Sequence, residues 1–202
     1  EQMGEGWSDF FGAMMTIGPG AARGDARPVG NYLFGQTTAG PGIRAAPYST
    51  DFGVNDYTYG DTNSSALSAP HGVGFVWATI LWEVTWDMID EFGYSPDIWD
   101  ASGTAGNQKM MNLVINGLKL QPCGPGFVDG RDAIMAADQV LYGGAHQDLL
   151  WGAFARRGLG FGASQGSSGS RSDQVESFIV PEAIPPAAIT DLSATPNGDF
   201  VT

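Results

Sequence analysis

At 202 residues, with 43% apolar residues and 15% charged ones, the chain is long enough for one domain with a sizeable core and a tail. Its net charge of −13, from 9 basic against 22 acidic side chains, excludes a nucleic-acid partner, whose phosphates demand a basic surface. Cys123 is the single cysteine, so neither an intrachain disulfide nor a cysteine-based zinc site is available, and beside Pro122 it reads as a small buried apolar residue.

In chain order, the first predicted helix runs from Gly4 to Ile17 and is stopped by Gly18-Pro19-Gly20. Glu5 and Asp9, one turn apart, project two carboxylates from one face, while Phe10, Phe11, Met14 and Met15 give the helix an apolar side. Two readings of the pair stay open: a metal ligand with an orienting carboxylate behind it, or an acidic first turn favoured by the helix dipole. From there to Pro70 no helical period persists, and Gly, Pro, Asn, Asp, Thr and Tyr dominate. A connection of roughly fifty residues is far longer than usual and must be held by its own packing. Phe34, Tyr48, Phe52, Tyr57 and Tyr59 are the candidates for that packing, and 31–34 is expected to form a short strand.

The strongest helix starts at Ser68 or Pro70 and ends at Gly93, with Val73, Trp77, Ile80, Leu81, Val84 and Met88 forming a buried stripe. Trp82 and Trp86 extend its apolar girth, so it is expected to be central. Its longest nearly uncharged run, 72–82, is too short to span a bilayer. By position alone, His71 reads as a capping or core histidine. The acidic residues Asp87, Asp90, Glu91, Asp97 and Asp100 are dense enough to raise calcium, but they lack EF-hand spacing and read as a solvated acidic edge.

Three further amphipathic helices follow. The first, 107–119, turns Met110, Met111, Val114 and Leu118 inward; the second, 128–142, does so with Ile134, Ala137 and Leu141 and has Asp129 as N-cap. The third, 147–157, has Leu150, Phe154 and Arg157 at near-helical spacing, Arg156 and Arg157 complementing its C-terminal dipole, and Gly158 as a left-handed cap. A flexible Gly/Ser run, 164–170, precedes Phe178-Ile179-Val180-Pro181, which is expected to dock back on the domain.

Several blocks carry a resemblance. Met3-Gly4-Glu5-Gly6-Trp7-Ser8-Asp9-Phe10-Phe11 resembles the segment after the zinc-binding helix of the fungalysin family of secreted metallopeptidases, relatives of thermolysin. Arg44 leading into Pro47-Tyr48-Ser49-Thr50-Asp51, then Pro70-His71-Gly72-Val73-Gly74-Phe75-Val76-Trp77, follow in the family's order. So do Gly117-Leu118-Lys119-Leu120-Gln121-Pro122, Phe127-Val128-Asp129-Gly130-Arg131-Asp132 and Trp151-Gly152-Ala153-Phe154-Ala155-Arg156-Arg157. Alanine is common in the family at Gly130, a change that reads as harmless.

The resemblance implies a mainly α fold: residues 1–182 as the helical C-terminal lobe of a thermolysin-like catalytic domain, with a long irregular region after the first helix. Residues 183–202 resemble a linker and the start of a fibronectin type III module. It implies Glu5 as the third protein ligand of a catalytic zinc, Asp9 as the group that hydrogen-bonds a zinc-bound His, and His71 as donor to the oxyanion. Arg44 is implied to bind a substrate carbonyl, although an ion pair with Asp51 or Asp61 is an equal reading. Where the family has an Asp that orients the histidine, this chain has Ala66.

No H-E-x-x-H occurs, and His71 and His146 are the only histidines, so the chain holds one-third of a zinc site. It reads as a piece of a longer secreted precursor that acts on polypeptides, with the N-terminal lobe of the same protein as partner. The isolated chain is expected to be inactive. A non-catalytic binding or scaffold domain derived from such an enzyme is the alternative. A glycoside hydrolase is a weaker third reading, because no carboxylate pair is singled out for the roughly 5 to 9.5 Å separation that chemistry uses.

Overall fold

The computed structural model describes residues 3–167 and 169–182, and among them it contains five α-helices: α1 (Gly4–Met15), α2 (His71–Phe92), α3 (Gly106–Leu120), α4 (Phe127–Tyr142) and α5 (Gln147–Arg156). The described residues form no named strand, only isolated bridges at Arg27–Tyr48, Leu159–Ser177 and Ser164–Val175. The architecture is the expected mainly helical one. The fibronectin-like stretch lies outside the described residues.

α2 is the axis. It packs against α1, α3 and α5, and α3 packs in turn against α4. Every residue from Gly72 to Trp86 on α2 is buried. Val73, Phe75, Trp77, Ile80, Leu81 and Val84 therefore leave water on several sides at once, and a fully buried side chain of this kind contributes about 1.5–3 kcal/mol. The Trp77 ring meets Trp7 of α1 and Phe127 of α4 edge-on, each at 5.0 Å. Ser68 accepts the first free N–H of α2, from Gly72, and Gly93 at φ 77° closes the helix with an N–H to Ile89. No helix among the described residues is long and apolar enough to cross a membrane.

The irregular region is held by polar groups rather than by the aromatic residues alone. Arg157, fully buried, donates through Nε to Glu83 of α2 at 2.9 Å. Its other nitrogens bond the carbonyls of Asn55 (2.6 Å), Tyr57 (3.3 Å) and Ser49 (2.9 Å), and its guanidinium lies 4.0 Å over the Phe52 ring. One guanidinium thus satisfies three loop carbonyls and one buried carboxylate. Arg23 spans Glu83, Asp87 and Asp90, and Arg156 reaches Glu83 and Asp87.

Several expectations change. Residues 31–34 form a 3-10 turn between the left-handed Gly30 and Gly35, not a strand. Phe34 and Phe52 stay exposed, whereas Tyr48 and Tyr59 are buried. Leu118 and Leu141 face outward; Gly117 lets α3 lie against Ile134, so no large side chain is needed there. The N-cap of α4 is Gly126, and Asp129 in the first turn accepts the Gly126 N–H at 3.0 Å. Arg156 and Arg157 reach across to α2 instead of serving their own helix end. Cys123 is exposed, in the turn after α3. A methyl at Gly130 would come within 2.8 Å of the buried Trp77 ring and 3.1 Å of Met3 sulfur, so alanine there requires both to shift. The 164–167 stretch is tied down by the Ser164–Val175 bridge and by Asp173, which accepts the Ser167 N–H. The 178–181 strap docks through main-chain bonds such as Phe161 N–H to Ile179, leaving Phe178 and Ile179 exposed.

Candidate metal and substrate site

α1 and α2 cross at two glycines, Gly6 and Gly74, whose backbones touch. That crossing sets the side chain before Gly6 against the start of α2. Glu5 Oε2 lies 3.0 Å from His71 Nδ1, with both side chains partly open to solvent. Among the described residues, Glu5 is thus the carboxylate that meets the His71 ring, where Ala66 offers none.

One turn along α1, Asp9 is buried. Its Oδ2 accepts Arg44 Nε–H at 2.6 Å and the Tyr48 hydroxyl at 2.5 Å, and its Oδ1 accepts from Arg44 Nη2 at 2.8 Å. The hydrogen bond from Asp9 holds the Arg44 guanidinium above its ordinary value against the opposing effect of burial. Burial first, and the Asp9 carboxylate second, push the Tyr48 phenol well above its usual range.

Arg44 pairs with neither Asp51 nor Asp61. Those two carboxylates cap their own turns, accepting from Gly53 N–H and Thr58 N–H. Arg44 and His71 nonetheless line one surface pocket, together with Ile43, Leu67 and Ser68. The four residues singled out in the sequence thus form two pairs, a Glu5–His71 contact at 3.0 Å and a two-point hydrogen-bonded Asp9–Arg44 ion pair. Tyr48 was read only as packing; neither spacing nor composition signals that its hydroxyl reaches Asp9, and only burial on the α1 side reveals it.

His146 belongs elsewhere. Its Nδ1 meets the buried Asp138 at 2.6 Å, and its ring lies between Phe92 and Tyr142. Of the acidic edge, Asp87 and Asp90 are paired with Arg23, while Asp97 and Asp100 cap local turns.

Among the described residues no three His, Cys, Asp or Glu side chains come together to hold a metal ion. The donor set fits a catalytic zinc in part. Glu5 offers a solvent-accessible carboxylate on a rigid helix, and Asp9 behind it offers a firmly held acceptor, the chemistry of one ligand and one orienting group.

The mainly helical architecture of the described residues is consistent with the helical lobe of a metallopeptidase. Residues 1–163 match the family model described as fungalysin metallopeptidase, and the chain belongs to that family. It is 46% identical over 188 residues to the extracellular metalloproteinase MEP of Pyricularia oryzae, covering 90% of this chain. Those of Neosartorya fischeri and Fusarium vanettenii are 45% and 43% identical over the same share. The chain spans 28% of the length of these curated relatives.

Proposed function

We propose that the chain is the helical lobe, residues 1–182, of a longer secreted zinc endopeptidase that hydrolyses peptide bonds of polypeptide substrates, with 183–202 as linker and start of a further module. The relatives' names support secretion, since each is an extracellular metalloproteinase. The observation that carries the reading is the Glu5–His71 contact at the α1–α2 crossing, with Asp9 held on the next turn.

Zinc, when bound, supplies Lewis acidity and lowers the pKa of its water. Glu5 holds the metal through one carboxylate, alongside two histidines supplied by the N-terminal lobe. Asp9 orients one of those imidazoles. His71 donates a hydrogen bond to the negative charge that develops on the scissile carbonyl oxygen, and electrostatic stabilisation of this kind is worth roughly 2.7–4 kcal/mol per donor. Arg44, tied to Asp9 through Nε and Nη2, has Nη1 left for a substrate carbonyl. One carboxylate is too few to hold zinc, so the 202-residue chain alone is inactive; zinc-dependent casein cleavage by it would overturn that point.

The test of the function uses the protein expressed from its complete gene. Glu5→Gln is expected to remove both bound zinc and casein cleavage. Neither bound zinc nor casein cleavage in the unmutated complete protein would instead make the chain a non-catalytic scaffold domain.

A further inference from the structure

We propose that Tyr48 is a positioning residue of the zinc site: together with Arg44, its hydroxyl locks the Asp9 carboxylate so that one acceptor position, on Oδ1, is left to orient a metal-bound imidazole. The inference rests on the function proposed above. It follows from counting acceptor sites. A carboxylate has about four lone-pair positions. Oδ2 of Asp9 already takes two donors, Arg44 Nε–H and Tyr48 O–H, and Oδ1 takes one, from Arg44 Nη2. The single unspent position lies on Oδ1. Were the Tyr48 hydroxyl absent, Oδ2 would compete with Oδ1 for the imidazole N–H, and the ring would lose its unique orientation.

Tyr48 is built to hold still. It is 1% exposed, its ring packs 5.4 Å from Phe75 of α2, and its main chain exchanges two 2.9 Å hydrogen bonds with Arg27. Burial keeps the phenol protonated, so it donates to Asp9 throughout the working range of an enzyme.

The experiment measures zinc affinity of the complete protein by competition with a chelator, for wild type, Glu5→Gln, Asp9→Ala, Tyr48→Phe and the Asp9→Ala/Tyr48→Phe double variant, with a thermal melt of each. Losing an orienting partner of a metal-ligating His typically costs 10–100-fold in metal affinity. Asp9→Ala and Tyr48→Phe are each expected to fall about that far, with kcat reduced more than KM. Tyr48→Phe added to Asp9→Ala is expected to cost nothing more. If Asp9→Ala weakens zinc binding and Tyr48→Phe does not, or if the two losses add, Tyr48 has only a structural role and the inference fails alone. If Glu5→Gln and Asp9→Ala both bind zinc as wild type does, the site reading fails and takes the inference with it. Should Tyr48→Phe not fold, the zinc affinity of Arg44→Lys, which also removes a donor from the Asp9 carboxylate, tests the same lock: a roughly 10–100-fold loss is expected and an affinity equal to wild type overturns the inference.

Discussion

Gly6 and Gly74 meet backbone to backbone. A Cβ on Gly6 would lie 2.3 Å from the Gly74 carbonyl oxygen, and a Cβ on Gly74 would lie 2.6 Å from the Gly6 nitrogen and 2.8 Å from Glu5 Cβ. No side chain can yield at such a contact, because the nearest opposing atoms are main chain. The two glycines therefore set the separation of α1 and α2, and with it the 3.0 Å approach of Glu5 to His71.

Gly74→Ala is expected to force the helices apart. Overpacking of this kind costs about 1–3 kcal/mol, read as a lowered Tm, and zinc content of the complete protein should fall with it because Glu5 moves. An unchanged Tm and full zinc would show that the crossing is not rigid.

Arg157→Leu is expected to cost at least about 3 kcal/mol in urea unfolding, because each buried acceptor left without its donor costs about 1–3 kcal/mol. The 2% exposed Glu83 would keep only Arg23 and Arg156, while the carbonyls of Ser49, Asn55 and Tyr57 would lose their donor. Limited proteolysis should then cut within 49–57. A loss below about 1 kcal/mol would mean that the irregular region is held by its aromatic packing instead.

Tyr48 predicts an alkaline limit on stability. Its folded pKa is raised, so its stabilising contribution is complete below the unfolded value of about 10 and is lost as pH rises beyond it. Above that value the unfolded chain releases a proton that the folded one keeps, and stability falls by about 1.4 kcal/mol per pH unit from this group. Tyr48→Phe should lose less stability between about pH 10 and 11, by about 1 kcal/mol, because the unfolded phenol is already half-ionised at about pH 10. Identical slopes in the two proteins would refute the prediction.

Cys123 is expected to react with a maleimide in the native protein as readily as a small free thiol, since it is exposed in the turn after α3. Labelling that needs denaturant would show the thiol to be covered.

The helices were legible because a stripe of apolar residues at three- and four-residue spacing forces burial whatever surrounds it. α1 to α5 fall within three residues of their expected ends. The exceptions are instructive. Leu118 and Leu141 continue their apolar stripes, yet both are left exposed. The 31–34 segment has strand-forming residues but no partner strand, and two glycines with positive φ curl it into a turn.

By itself, the sequence determined local placement and family. Glu5 and Asp9 share a helix face through the fixed 3.6-residue period, His71 must sit at the start of α2, and ordered motifs mark the family. Only the tertiary structure decided who meets whom. Arg44 binds Asp9 rather than Asp51 or Asp61, Tyr48 closes the same carboxylate, and Arg157 leaves its own helix end for Glu83. Those pairings span 35 to 74 residues of chain. Local spacing says nothing across such distances; burial decides them, because a charge taken out of water keeps whichever opposite partner the packing brings within reach.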